Sequence, residues 1–467
     1  MKALNLMEIV KAVHAIDYTT SDRQMMIEQV EFDSRKVSPN TLFVPLTGGT
    51  TDGHDYIDMA IEQGATATLW SRPESEAPSD KLAIILVDDT LQAMQDLAHY
   101  YRQLVNPIVV GITGSNGKTT AKDMTAMALS AKFKVHKTQG NYNNEIGLPY
   151  TLLAMPEDTD VCVLEMGMSN FGEIEKLSLM AEPNITAITL IGESHLEFLG
   201  SRRGIAQAKL EILKGMKEYG VFIFPANEPL ISDEMPEINF PIYMRSFGFD
   251  KDDDVYAYDI VEEHDKTFFR TNVDPNVICM IPVIGAYNVS NALVALSIAE
   301  VLDVPIEQAI FQLAQFKLTA NRLEWLETHQ GAKLLNDAYN ASPTSMRAIL
   351  QTLSTVDTGN TGRKIAVLGD IRELGEKSEG FHRQLESAIS PDAIDQVFLF
   401  GPNMRYLYEE LQKDYSDDRL FYEPESHEAL IEALNQTIQA DDVVLVKSSF
   451  GVDLLQVVTA LTGHSTK

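Results

Sequence analysis

The segment Ile108-Val-Val-Gly-Ile-Thr-Gly-Ser-Asn-Gly-Lys-Thr-Thr120 carries the residue types needed to hold a polyphosphate. Gly114 and Gly117, with Ser115 and Asn116 between them, let backbone N–H groups come close to phosphate oxygens. Lys118 can reach the terminal phosphates. The Thr119 hydroxyl, followed by Thr120, can sit on Mg²⁺. The spacing is a variant, Gly-x-x-Gly-x-x-Gly-Lys-Thr, because Ile112 stands where the usual loop has its first glycine. An apolar strand before the loop and a helix directly after it add a positive dipole end to the site. Such a loop belongs to an ATP-using enzyme. A fortuitous glycine turn is the competing explanation, and it leaves the strand, the Lys, the paired Thr and the helix as coincidences.

Three further residues could do chemistry beside it. Val161-Cys-Val-Leu-Glu165 is an apolar strand that ends in a carboxylate. Ligands of open α/β sheets bind outside the carboxyl ends of the strands, so Glu165 could hold a metal there. A lone Glu at a strand end is otherwise a helix cap or a solvated group. His195 follows the run Ile185–Ile191 and is either a metal or phosphate ligand or a structural histidine. Lys209 lies on an apolar helical face with Ile205, Ala208, Ile212, Leu213 and Met216. It either snorkels its ammonium to water or serves a site, where desolvation would leave a reactive neutral amine. The residue pattern by itself favours snorkelling.

These residues need a scaffold that brings strand ends together. From about Val87 a helical pattern (Leu91, Met94, Leu97, Ala98, Tyr101) leads into the strand Ile108–Thr113 and a helix from Lys118 to about Lys132. Strands at Val161–Glu165 and Ile185–Ile191 follow. Strands alternating with helices predict a parallel sheet with helices on both faces. Phe222–Phe224, Val255–Val261, Thr267–Asn272 and Val277–Ile284 are short β-type runs that predict an antiparallel extension. From about Phe316, strands at Lys333–Asn336, Lys364–Leu368, Gln396–Phe400 and Val443–Val446 alternate with helices, predicting a second, Rossmann-like sheet. The expected fold class is α/β in three units: 1–86, 87–315 with the nucleotide loop, and 316–467.

The 37 basic and 68 acidic residues give a net charge of −31. That balance argues against nucleic acid or an anionic membrane as partner, since phosphate backbones need clustered Lys and Arg. An anionic substrate would need a locally basic pocket. No run of about 18 apolar residues marks a membrane span. Glu8 and Lys11 interrupt the N-terminal apolar positions, so no signal peptide is expected. The two cysteines, Cys162 and Cys279, each sit in an apolar run, which suits a reducing cytoplasm.

In order along the whole chain, several segments resemble the Mur ligases, which build the peptide stem of bacterial cell-wall precursors. They are Thr113–Thr119, the loop Gly140-Asn-Tyr-Asn-Asn-Glu-Ile-Gly147, Ser194–Glu197, Ala208-Lys209, Ala286–Ala292 and Asn321-Arg322. Asp337–Pro343 and Leu368–Gly375 are most similar to the member that adds D-alanyl-D-alanine. Asp33-Ser34-Arg35 is similar to the segment for the UDP end of the substrate, and Asn141 is a further candidate substrate contact. The resemblance implies ATP and Mg²⁺ as cofactors, and UDP-N-acetylmuramoyl-tripeptide and D-alanyl-D-alanine as partners. It also implies a monomer and an acyl-phosphate mechanism. It assigns Lys118 and Thr119 to the γ-phosphate and one Mg²⁺, and Glu165 and His195 to the metal sites. It makes Lys209 a carbamylated ligand of the second metal. Asn288 would contact adenine, Arg322 the phosphates and Asp337 the ribose. One segment departs: many relatives read Lys-Gly-Ser-Arg where this chain has Lys447-Ser-Ser-Phe450.

Three other functions remain to be weighed. The Mur ligase that adds the third stem residue usually carries Asp-Asn-Pro-Arg in its C-terminal domain, which is not found here. Folylpolyglutamate synthases share the scaffold but usually lack the first domain. A P-loop ATPase without ligase chemistry would turn over ATP with no carboxylate or amine substrate.

Overall fold

A computed structural model describes the 467-residue chain except residues 236, 264, 318–321, 360 and 465–467. Asn321 of the quoted Asn321-Arg322 pair therefore lies outside the described residues. The molecule is organised around three main sheets.

The largest has nine strands. In spatial order they are Cys279–Ile281, Lys266–Thr271, Val255–Glu263, Tyr243–Gly248, Val221–Pro225, Ile185–Ile188, Ile108–Thr113, Val161–Glu165 and Val135–Lys137. Ile108–Thr113 pairs in parallel with Val161–Glu165 on one side and Ile185–Ile188 on the other. After Ile108–Thr113 the chain runs to the outer strand Val135–Lys137, returns to Val161–Glu165 and then crosses to Ile185–Ile188 on the second side. The carboxyl end of Ile108–Thr113 is thus the point where strand order reverses, the usual ligand crevice of such a sheet.

The expected antiparallel extension is real but smaller than its β-type runs suggested. Val221–Pro225 and Tyr243–Gly248 continue the parallel sheet. Antiparallel pairing is confined to Val255–Glu263, Lys266–Thr271 and Cys279–Ile281. Short β-branched and aromatic runs carry no information about strand direction, which the connections decide. The run expected to reach Ile191 ends as a strand at Ile188; beyond it the backbone bonds to the phosphate loop, with Ser115 N donating to Leu190 O at 2.8 Å.

The third sheet has six strands, in the order Glu324–Glu327, Lys333–Asp337, Val443–Lys447, Lys364–Gly369, Gln396–Phe400 and Leu420–Glu423. All pairs are parallel except the first. The first sheet has five short strands between Asp17 and Leu86.

Helix Thr90–Val105 ties the first sheet to the nine-stranded one. Asp89 caps it by accepting from Leu91 N and Gln92 N, and Asn106 ends it in the left-handed region at φ 53°. Its Ala93, Met94, Leu97, Ala98 and Tyr101 belong to one core that also holds Leu4, Ile85, Leu164 and Phe222. The helix lies across the seam with its apolar face buried and Gln92 and Gln103 on the face left to water. Arg102, 1% exposed, reaches across: its Nε donates to Ala181 O at 2.8 Å and its Nη2 to Glu182 O at 3.0 Å. Those carbonyls close helix Glu173–Ala181, whose last turn has no intrahelical donors. Arg102→Met keeps the stem and leaves both carbonyls unmet. It is expected to cost about 1–3 kcal/mol, read as a lower urea midpoint.

Candidate active site

The phosphate loop is shaped by contacts from neighbouring strands and helices. Gly114 has φ 150°, and a Cβ there would collide with Thr189 Oγ1. That hydroxyl donates to Asn116 O. Gly117 has φ 80°, and a Cβ there would run into the Asn291 carboxamide of helix Ala286–Val301. Gly192 N donates to Ser115 Oγ at 2.9 Å. The loop is therefore latched from the next strand's exit and from a second helix. Helix Lys118–Leu129 starts at Gly117. Ala121 and Ala128 share a core with Ala292 and Ala295 of helix Ala286–Val301; small side chains let the two helices lie close.

One cavity of about 1160 Å³ opens in front of the loop. It brings together most of the residues singled out from sequence: Ser115, Asn116, Gly117, Lys118, Thr119, Thr120, Asn141, Glu165, His195, Asn288, Arg322 and Asp337 all line it. Gly114 sits behind the loop and Lys209 behind the wall. Ser34 and Arg35 do not reach this cavity. Arg35 is folded back on Asp33, with Nε and Nη2 each 2.8 Å from its carboxylate. The same first-unit segment abuts the second loop nevertheless. Glu31 accepts from Tyr150 OH at 2.9 Å, and Phe32 meets the Tyr142 and Tyr150 rings edge-on.

The charges are unequal. Lys118 Nζ donates to Gly114 O at 2.8 Å. The surrounding protein holds its ammonium below the usual lysine pKa, offset by Glu165 and reinforced by Arg322. Lys209 is 2% exposed. Burial, and then the charge of Lys118, push its pKa well below the ordinary value. Snorkelling is excluded for it. A neutral amine is what the fold favours at that position.

Glu165 is 2% exposed. Its Oε1 accepts from Asn143 Nδ2 at 2.8 Å, and its Oε2 is buried with no hydrogen-bond partner. A buried carboxylate oxygen left unmet beside Lys118 and Thr119 fits a cation site. His195 has φ 62°, and its Nδ1 lies 2.6 Å from Glu373 Oε2. The imidazole holds the Glu373 carboxyl below its usual range.

The six-stranded sheet closes the cavity from the far side. Asn116 Nδ2 donates to Ser342 Oγ at 2.9 Å, at the cap of helix Pro343–Thr355. Thr344 Oγ1 donates to Glu193. Arg322 lies 4.2 Å over the Tyr339 ring. Lys447 Nζ donates to Asp337 and to Asn340 O, the latter at 3.0 Å.

Asn143, Lys447 and Glu373 were not among the residues singled out. Lys447 ends a strand as Glu165 does, and that rule would have found it. Asn143 lies in a loop already quoted. Nothing in the sequence couples Glu373 to His195.

A phosphate loop at the switch point of a parallel sheet, covered by a second doubly wound sheet, defines a nucleotide-dependent P-loop enzyme. Three family profiles match: the Mur ligase family catalytic domain over residues 26–102, the Mur ligase middle domain over 112–299, and the Mur ligase glutamate ligase domain over 321–450. The chain is 41% identical to the UDP-N-acetylmuramoyl-tripeptide–D-alanyl-D-alanine ligase of Bacillus subtilis, covering 98% of this chain and 97% of that protein. It is 32% identical to the Escherichia coli enzyme of the same name, over 94% and 95%. A crystal structure of MurF from Acinetobacter baumannii superposes with a TM-score of 0.87 at 26% identity, over 99% and 100% of the two chains. MurF from Thermotoga maritima, solved with ADP, gives 0.79 at 28%, over 93% and 96%. The chain belongs to the Mur ligase family.

Gly114→Ala places a side chain against Thr189 in a conformation that L-residues rarely adopt. Strain of about 1–3 kcal/mol is expected to weaken ATP binding about tenfold or more. Titration calorimetry on folded variant protein is the check.

Proposed function

We propose that this chain joins D-alanyl-D-alanine to UDP-N-acetylmuramoyl-tripeptide, consuming ATP and releasing ADP and phosphate. The observation that carries it is one cavity lined by the phosphate loop, Glu165, Arg322 and Asp337 together, in a chain alike over nearly its full length to ligases of that name. We divide it at 86/87 and 315/316 into a UDP-substrate unit, an ATP unit and an acceptor unit.

Lys118 holds the γ-phosphate, and the loop's N–H groups hold the bridging oxygens. Asn288 meets adenine, Asp337 the ribose and Arg322 the phosphates. The Lys447 contact supports that role for Asp337 by fixing the carboxylate in place. Ser34, Arg35 and Asn141 serve the UDP-linked substrate. The tripeptide's terminal carboxylate attacks the γ-phosphorus and ADP leaves. The dipeptide amine then attacks the acyl-phosphate carbon, loses a proton, and inorganic phosphate departs. Bound Mg²⁺ would neutralise charge on the transferred phosphoryl group. Thr119, Glu165, His195 and a carbamate on Lys209 would hold it, and the unmet Glu165 oxygen supports this. The buried, neutral amine of Lys209 supports the carbamate: its nitrogen adds to CO₂ and gives up a proton. The enzyme works as a monomer in the cytoplasm; the two buried free thiols support a reducing compartment.

Phosphate release is measured with ATP, Mg²⁺, UDP-N-acetylmuramoyl-tripeptide and D-alanyl-D-alanine, leaving out each in turn. Release is expected only with all four present, together with a heavier UDP-linked product. Release without the dipeptide would overturn the acceptor. For Lys209, the Lys209→Ala enzyme is expected to be inactive, unrescued by bicarbonate and partly restored by a short-chain acid. Intact wild-type protein should carry the mass of one added CO₂ that the variant lacks. An active Lys209→Ala enzyme would overturn the carbamate.

A further inference from the structure

D-Alanyl-D-alanine brings two charged ends to the enzyme. Its amine must sit at the acyl phosphate, so its carboxylate points away from the phosphate loop and needs a cation of its own. On a chain of net charge −31 an unassigned cation beside the cavity stands out. Lys447 is held by Asp337, and Arg347 lies 3.8 Å from Glu193. Arg322 is stacked on Tyr339, and its charge is felt by Lys118 of the phosphate loop.

Arg372 differs from these. It is exposed, and among the described residues no carboxylate pairs with its guanidinium. Its backbone is fixed, with Arg372 N donating to Ser449 Oγ at 3.0 Å. Its guanidinium lies directly against Gly451, where a Cβ would collide with Nη1 and Cζ. The next residue, Glu373, touches His195, which lines the cavity. Phe450, adjoining Gly451, is 63% exposed and packs 5.7 Å from the Tyr339 ring, also on the cavity wall. A free guanidinium and an exposed aromatic ring thus flank Gly451, next to His195 and Tyr339 of the cavity wall. They suit a small acid with methyl side chains.

We propose that Arg372 is the specificity residue that takes the carboxylate of the dipeptide acceptor, a role that Phe450 cannot fill. This rests on the ligase reading given above.

The test compares D-alanyl-D-alanine with its C-terminal amide, which keeps the amine and loses the charge. Wild-type enzyme should prefer the acid. Arg372→Ala should raise the KM for the acid about ten- to a hundredfold, leave the KM values for ATP and the UDP-tripeptide within about twofold, and abolish the preference over the amide. Gly451→Ala keeps the charge but displaces it, and should raise the same KM. Phe450→Arg in the Arg372→Ala background should restore the preference in part. An Arg372→Ala enzyme that still prefers the acid, or a wild type that uses both equally well, overturns the assignment and leaves the ligase reading standing. A wild type that ligates neither overturns the ligase reading and the assignment with it.

Discussion

The site depends on how tightly Thr189 closes on Gly114. The Thr189 hydroxyl occupies the space that a side chain at 114 would need, and it also donates to Asn116 O. That contact joins the exit of strand Ile185–Ile188 to the turn after Ile108–Thr113. Asn291 closes on Gly117 in the same way from helix Ala286–Val301. The loop has no freedom to relax toward another turn, so its N–H groups are aimed before any phosphate arrives. The nine-stranded sheet supplies the two strands, and helix Ala286–Val301 supplies the third point.

Around that fixed loop the charges are arranged by burial. The surface is strongly acidic, yet Lys118, Lys209, Arg322 and Lys447 cluster in and behind one cavity. Two ammonium groups near one another in a desolvated place cannot both stay charged at no cost. The fold resolves this at Lys209, the more deeply set of the two, by favouring the neutral amine. The same desolvation makes the unmet oxygen of Glu165 a strong attractor for a cation.

The far wall belongs to another sheet. Ser342 meets Asn116, Thr344 meets Glu193 and Glu373 meets His195. Each of these contacts pairs a residue of the phosphate-loop unit with one of the six-stranded unit. Phosphoryl transfer needs water kept out and two substrates held in line, and a wall brought from a separate sheet meets both needs.

Much of this was legible in the residues themselves. The strand, glycines, Lys-Thr pair and helix of Ile108–Leu129 are a local pattern, fixed by backbone geometry and short-range chemistry. Glu165 followed from the rule that ligands gather at strand ends. The alternation of elements gave the parallel sheets. Other features were decided only by tertiary structure. The direction of Val221–Pro225 and Tyr243–Gly248 depends on the connections between strands, to which side-chain composition is blind. The state of Lys209 depends on what covers it: an apolar stripe by itself favours snorkelling, and only the packing around it removes the water. Glu373 with His195, Lys447 with Asp337 and Arg372 beside Gly451 join residues far apart in the chain. A sequence lists such groups without their distances, and electrostatic and hydrogen-bond energies are set by distance and burial.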